Sequence, residues 1–257
     1  MAEHIWGSED VFVQKMNERA KGLSMTNTNF VNCCGLDAEG HMTTARDVAL
    51  MSRELITKYP QIHDYSTIWM DTITHVTRRG SSEFGLTNTN KLLKQYQWAT
   101  GLKTGSTSKA KFCLSATAKK NDIELIAVVM QSPDGKHGVS DCISLLNYGY
   151  GIVNMYKDEN PPEINPVKIK NGTKDIVNCT YKSIFSHIFL DSYDHNDITC
   201  HFEMLDDIKA PISEGDCLGM LIYQYKGQTI GSIEITATEN IKKATYKDYL
   251  IKILKDF

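Results

Sequence analysis

At 257 residues, with 41% hydrophobic and 23% charged residues, the chain is long enough for two modest domains, each burying its own core. A net charge of −3 gives none of the basic face that nucleic-acid binding demands, so no nucleic-acid partner is expected. No run of about 18 apolar residues is present to span a membrane, and Met1-Ala2-Glu3-His4-Ile5 lacks the basic and apolar regions of a signal peptide.

From Ser8 onward, Val11, Phe12, Met16, Ala20 and Leu23 recur at helical spacing, with Glu9 and Asp10 in the first turn, where the helix dipole favours anions. This predicts an amphipathic helix ending near Gly22. Thr26 to Gly40, rich in Asn, Thr and Gly, reads as a loop that would pack near a cleft. Thr44 has the look of an N-cap, and Val48, Met51, Leu55 and Ile56 give the following helix a buried stripe until Pro60 stops it. Trp69 to Arg79 turns β-like, with Ile73 and Val76 among threonines.

The chain then reaches Thr100-Gly101-Leu102-Lys103-Thr104-Gly105-Ser106-Thr107. A strand edge here would lay backbone N–H and C=O groups beside an extended ligand, while the Lys103 ammonium and neighbouring hydroxyls meet a carboxylate or oxyanion. Gly105 would admit close backbone approach. Taken alone, a K-T-G tripeptide reads first as an exposed turn entering a hairpin. Phe112 to Thr117 and Ile123 to Met130 read as strands joined by Lys119-Lys120-Asn121-Asp122, which makes the K-T-G strand the first of a three-stranded antiparallel meander. A helix from Asp141 to Tyr148 is expected to pack Ile143, Leu145 and Leu146 on that sheet.

Asp158 to Pro166 holds three prolines among charged residues and reads as a linker. Beyond it, short strands at 167–170, 175–179, 184–190, 198–204, 217–225 and 229–237 predict an all-β domain. Asp191, Asp194 and Asp197 lack the spacing and glycine of a calcium loop and read as a hairpin turn. In the tail, Tyr246, Tyr249, Leu250, Ile253, Leu254 and Phe257 follow helical spacing, with Lys247, Lys252 and Lys255 on other faces. Such a helix lies in a membrane interface or docks on its own domain. Seven cysteines without C-x-x-C spacing read as small buried hydrophobes, notably Cys113, Cys142 and Cys217. Eight histidines without H-x-x-x-H spacing predict no metal site, and no cofactor is expected.

The order of several segments carries a resemblance. Gly7-Ser8-Glu9-Asp10-Val11-Phe12-Val13, Thr28-Asn29-Phe30-Val31-Asn32, Gly40-His41-Met42-Thr43-Thr44-Ala45-Arg46-Asp47, Asn88-Thr89-Asn90-Lys91-Leu92-Leu93, the K-T-G run and Leu145-Leu146-Asn147-Tyr148-Gly149-Tyr150 together resemble the serine-type D-alanyl-D-alanine carboxypeptidases, the low-molecular-mass penicillin-binding proteins. The resemblance implies an α+β fold. It places part of a transpeptidase-like catalytic domain at 1–155, a linker at 156–166, a β-sandwich-like domain at 167–245 and an amphipathic tail at 246–257. It also implies that Lys103, Thr104, Gly105 and Ser106 bind substrate, that peptidoglycan pentapeptide and β-lactams are the ligands, and that the complete protein works outside the cytoplasm at the cell envelope.

Two departures limit what carries over. The family's S-x-x-K nucleophile motif is separate from K-T-G, whereas Ser106-Thr107-Ser108-Lys109 overlaps it, and no S-x-N occurs. The expectation is an amino-terminally truncated chain with no catalytic nucleophile to name, inactive alone. Relatives also carry an Arg where Gly138 stands; Lys136, a point charge, would be its nearest substitute. The rival functional reading is a non-catalytic envelope or membrane-surface binding protein with a vestigial cleft. A class A β-lactamase shares K-T-G but not the β domain after Pro166.

Overall fold

Polar caps decide where the longer helices of the amino-terminal half begin. The computed structural model describes residues 1–78 and 80–255, the last five of these as backbone only. It divides into one unit ending at Gly151 and another starting at Ile152. In the first, α1 (Ala2–Trp6) stops at Gly7, and Ser8 Oγ accepts the Val11 N–H at 3.2 Å to start α2 (Glu9–Gly22). A loop follows, then α3 (Ala45–Lys58), whose first turn is closed by Thr44 Oγ1 accepting the Asp47 N–H at 3.2 Å. Asp47, 1% exposed, in turn accepts from Asn27 N–H at 2.9 Å and from Thr28 Oγ1 at 2.7 Å, which ties the loop to α3.

After Pro60 come α4 (Ile62–Ser66), a hairpin of β1 (Met70–Thr77) and β2 (Gly80–Thr87), α5 (Leu92–Gln95), then β3 (Ala99–Thr107), β4 (Lys111–Lys120), β5 (Ile123–Ser132) and α6 (Gly135–Ile152). The last three strands form the expected antiparallel meander in the order β3-β4-β5. Asn121 at φ 50° and Asp122 at φ 62° supply the two left-handed residues that a two-residue hairpin turn requires. In register, Lys103 faces Ser115 and Gly105 faces Cys113. Alternation therefore puts these four residues on one face, and Ser115 Oγ lies 2.7 Å from Ser52 Oγ of α3, so α3 covers that face. The opposite face gives Leu114, Ala116 and Ala118 to a core shared with Leu92 and with Val139, Cys142 and Leu146 of α6. Each such buried leucine contributes about 1.5–3 kcal/mol relative to exposure.

The second unit contains β6 (Val153–Lys157), β7 (Val167–Lys168), β8 (Ile176–Val177), β9 (Cys179–Tyr181), β10 (Ser186–Leu190), β11 (Ile198–Met204), β12 (Cys217–Tyr225), β13 (Gln228–Ala237) and α7 (Tyr246–Lys255). Its main sheet runs β11-β12-β13-β9, with β6 paired to β10 and β7 to β8. Leu218, Val177 and Ile241 fill one core, and Phe185, stacked on Tyr223 at 3.8 Å, fills another with Leu221.

Several expectations change. The division falls at Gly151 rather than at residue 155, because Val153–Lys157 is a strand of the second unit. The 156–166 stretch is fastened rather than free: Tyr223 Oη donates to Asp158 at 2.7 Å and Tyr181 Oη to the Pro162 carbonyl at 2.6 Å. The helix expected from Asp141 begins at Gly135, where Asp134 accepts the His137 N–H at 2.9 Å, and Leu145 is 48% exposed while Leu146 is buried. Cys142 is buried, but Cys113 is only partly so and Cys217 is exposed. Asp191, Asp194 and Asp197 join β10 to β11, strands of different sheets, so they form a connection and not a hairpin. Arg79, Asp256 and Phe257 lie outside the described residues.

Candidate functional site

Strand β3 pairs only with β4 among the described residues, so its outer edge is open along the K-T-G run. Beside it lies a cavity of about 680 Å³, walled by Leu102, Lys103, Thr104 and Gly105 of β3, Cys113 and Ser115 of β4, Val48, Met51 and Leu55 of α3, and Tyr65 and Ser66 from α4. The stripe read as the buried face of α3 is thus largely cavity wall. Gly35 also lines the cavity, which brings the 26–40 loop to the cleft. The same loop is held there by Asp37, which accepts from Thr107 Oγ1 at 2.6 Å and Ser108 Oγ at 3.1 Å at the β3–β4 turn. The Thr107 hydroxyl, with the Lys109 N–H and the Ser108 hydroxyl, holds the Asp37 carboxyl below its ordinary range.

Each residue of the run has a definite setting. Lys103 is exposed, its Nζ donates to the Thr104 carbonyl, and no described ion pair includes it. Its charge is therefore uncommitted. Thr104 Oγ1 lies 2.7 Å from Thr89 Oγ1. A Cβ built on Gly105 would meet nothing within 4 Å, so the chain's own packing does not require glycine there. What the glycine leaves is free space at the strand. Ser106 is exposed and opposite Phe112.

The base of β3 is fixed by a polar clamp that sequence reading missed. The Thr100 carbonyl accepts Ser66 Oγ at 2.6 Å and lies 3.0 Å from His63 Nδ1. His63 Nε2 lies 2.9 Å from Glu124 Oε1, and Thr100 Oγ1 donates to Thr117 Oγ1 at 2.8 Å. Gly101, at φ 153°, makes this possible, since an added Cβ would come within 2.7 Å of Ser66 Oγ. His63 and Ser66 share α4, but Thr100 and Glu124 are far from them in sequence and the four share no motif, so only the fold reveals the clamp.

Neither serine at S-x-x-K spacing resembles an activated nucleophile. Ser106 to Lys109 and the overlapping Ser108 to Lys111 both span the β3–β4 turn rather than a helix, where an i, i+3 spacing would place Ser and Lys side by side. Ser108 is already bound to Asp37. Burial pushes the Cys142 thiol up to about 12, which makes it an inert core group. At Gly138 an added Cβ would stand 2.7 Å from Phe112 Cδ1, so the Phe112 ring occupies the ground a larger side chain would need. Lys136 is exposed at the start of α6. No group of three or more His, Cys, Asp or Glu suited to a metal occurs among the described residues.

Comparison with known proteins gives the family. A family model described as D-alanyl-D-alanine carboxypeptidase matches residues 1–134, and one described as penicillin-binding protein 5, C-terminal domain, matches residues 150–243. The carboxypeptidase DacF of Bacillus subtilis is 35% identical over 260 residues, covering 100% of this chain and 65% of its own length. The chain spans 61% of the length of DacA of Haemophilus influenzae, at 28% identity. Among solved structures, penicillin binding protein 5 of Haemophilus influenzae matches with a TM-score of 0.64 at 25% identity, over 94% of this chain and 69% of that one.

Proposed function

The chain belongs to the D-alanyl-D-alanine carboxypeptidase family of penicillin-binding, cell-wall hydrolases, and from that premise we propose that β3 is the substrate-holding wall of a serine-type site. The substrate is the terminal D-Ala-D-Ala of a peptidoglycan stem peptide, and β-lactams occupy the same site. One observation carries the reading: an open strand edge presents an uncommitted ammonium at Lys103 and free space at Gly105 beside the 680 Å³ cavity. An extended peptide pairs with that edge as an added strand. Lys103 meets its carboxylate or the developing oxyanion, Thr104 supplies a hydroxyl, and Gly105-Ser106 offers backbone. The reaction is acyl transfer: a serine hydroxyl attacks the scissile carbonyl, D-Ala departs with the transferred proton, and water releases the acyl group.

That serine is not assigned to any of these 257 residues, since Ser106, at the end of β3, and Ser108, in the β3–β4 turn, have no base among their described contacts. On this reading these residues alone do not hydrolyse D-Ala-D-Ala. The test uses a protein that includes the nucleophile. There, Lys103→Ala lowers acylation by labelled penicillin at least about a hundredfold, the scale of losing one preorganised contact to developing charge. Unchanged acylation in a folded variant removes Lys103 from the site.

A second reading, a surface-binding protein of the cell envelope with a vestigial cleft, is favoured by one observation. On α7, Tyr246 is 85%, Tyr249 42% and Leu250 47% exposed. In either reading the protein acts outside the cytoplasm.

A further inference from the structure

Two cysteines stand side by side in the 26–40 loop, and unlike the buried Cys142 both Cys33 and Cys34 are exposed. Asn32 organises the turn that carries them. Its Oδ1 accepts the Gly35 N–H at 2.8 Å and lies 3.4 Å from Cys34 Sγ, and its Nδ2 donates to the Leu36 carbonyl at 3.0 Å. Cys33 is fastened to α2 instead: Glu9 Oε1 accepts its N–H and its thiol, each at 3.2 Å. The Glu9 carboxylate keeps the proton on that thiol and pushes it above the ordinary thiol range. Cys34 has no carboxylate among its described contacts. The turn is coupled to the cleft within three residues. Gly35 lines the main cavity, and Asp37 accepts from Thr107 Oγ1, Ser108 Oγ and the Lys109 N–H where the K-T-G strand ends.

We propose that Cys33 and Cys34 are a redox-active dithiol, a modification site for small-molecule disulfides, whose closure to a vicinal disulfide loosens the 26–40 loop from the β3–β4 turn. The chemistry is thiol–disulfide exchange. The Cys34 thiolate, the sulfur not held by a carboxylate, attacks one sulfur of the reagent and expels the first thiolate. Cys33 then loses its proton and attacks the Cys34 sulfur of the mixed disulfide, expelling the second. Two cysteine thiols are oxidised, the reagent disulfide is reduced to two thiols, and the two cysteine protons end on them. A protein outside the cytoplasm meets such oxidants. Ordinary disulfides join Cα atoms about 4.4–6.8 Å apart, whereas neighbouring Cα atoms are about 3.8 Å apart. Closure therefore reshapes the backbone of both residues, draws Cys33 from Glu9 and disturbs the turn by which Asn32 places Gly35 and Asp37. The same strain makes the bond easy to reduce, so the change is reversible. None of this depends on what the cleft binds.

The test treats the 257-residue chain with oxidised glutathione, blocks it with N-ethylmaleimide and maps the cysteines by mass spectrometry. The peptide holding Cys33 and Cys34 is expected to carry an internal disulfide and no maleimide, whereas the exposed Cys217 ends as a maleimide or glutathione adduct. In Cys33→Ser the closed form is lost and Cys34 stops at the glutathione adduct; the serine hydroxyl can still donate to Glu9, so the turn is kept. Amide NMR reads the coupling: oxidation is expected to shift Thr107, Ser108 and Lys109, with reversal by dithiothreitol and with Leu114 and Ala116 of the core unmoved. In the double variant Cys33→Ser, Cys34→Ser the oxidant leaves 107–109 unchanged. A parent chain in which both cysteines still take maleimide, Cys34 keeps glutathione, or either sulfur links two chains overturns the dithiol. A closed disulfide with unmoved 107–109 amides overturns its coupling to the β3–β4 turn.

Discussion

Replacing Gly101 by alanine tests whether the base of the K-T-G strand is held by close packing against α4. The new methyl would stand 2.7 Å from Ser66 Oγ, 3.0 Å from Ser66 Cβ and 3.3 Å from Thr117 Oγ1, at a backbone φ of 153° that side-chain-bearing residues rarely adopt. The backbone conformation costs about 1–3 kcal/mol. Relief of the clash moves Ser66 and breaks its 2.6 Å hydrogen bond to the Thr100 carbonyl, a further loss of about 0.5–1.5 kcal/mol. The sum is a destabilisation of about 1.5–4.5 kcal/mol. Urea unfolding followed by tryptophan fluorescence reads it directly, because Trp6, Trp69 and Trp98 all lie in the first unit. Adding Ser66→Gly removes the opposing side chain, so the double variant is expected to be more stable than the sum of the two single losses implies. A Gly101→Ala protein within about 0.5 kcal/mol of the parent, the range of a neutral surface change, refutes the reasoning, as does strict additivity.

The 257-residue chain incubated with labelled penicillin is expected to show no covalent adduct by intact mass. A stoichiometric adduct refutes this and makes Ser106 the first residue to map. In the second unit, hydrogen bonds from Lys170 and Lys209 lower the Asp207 carboxyl to about 2. A depressed carboxylate stabilises the fold above its unfolded value near 3.9 and loses that contribution as pH falls towards 2. Asp207→Asn should therefore lower Tm at pH 7 and do so much less at pH 2, where the carboxyl is about half protonated; an equal deficit at both pH values refutes the ion-pair account.

Local chemistry was legible where a single residue decides a local event. Thr44 caps the helix it was expected to cap, Ser8 stands where the preceding helix was expected to open, and Asn121-Asp122 makes the turn that aligns β4 with β5. Lys103, Thr104 and Gly105 line the cavity because β3 is the edge strand of the meander. Phase and partnership were less legible. Val139, Cys142 and Leu146 fix the buried face of α6, and Leu145, one residue before Leu146, turns outward. Strand β2 is Gly80-Ser81-Ser82-Glu83-Phe84-Gly85-Leu86-Thr87, too polar and glycine-rich to announce itself, and it forms by pairing with β1. The His63, Ser66 and Glu124 clamp needs three elements to converge, which no local pattern encodes.

The tail offers a choice that one experiment decides. Helix α7 is closed at its start by Asp248, which accepts from Thr245 N–H and Oγ1 at 2.7 Å, and Tyr249 Oη donates to Asn171 Oδ1 at 3.2 Å. That hydrogen bond tethers the helix to its own unit but leaves Tyr246 and Leu250 exposed. The remaining apolar positions of the stripe, Ile253 and Leu254, have no described side chains, and Phe257 lies outside the described residues. We expect this face to enter an anionic bilayer interface, with Lys247, Lys252 and Lys255 adding about 1 kcal/mol each near the headgroups. On that scale Lys247→Gln weakens partitioning about fivefold, and added salt weakens it further. Attachment by one short helix is reversible, so the chain should sediment with anionic vesicles and be released by salt. Co-sedimentation of the chain with and without residues 246–257 measures this. Equal sedimentation of the two refutes the interfacial helix, and a lowered Tm in the shortened chain would then assign the stripe to packing on its own unit.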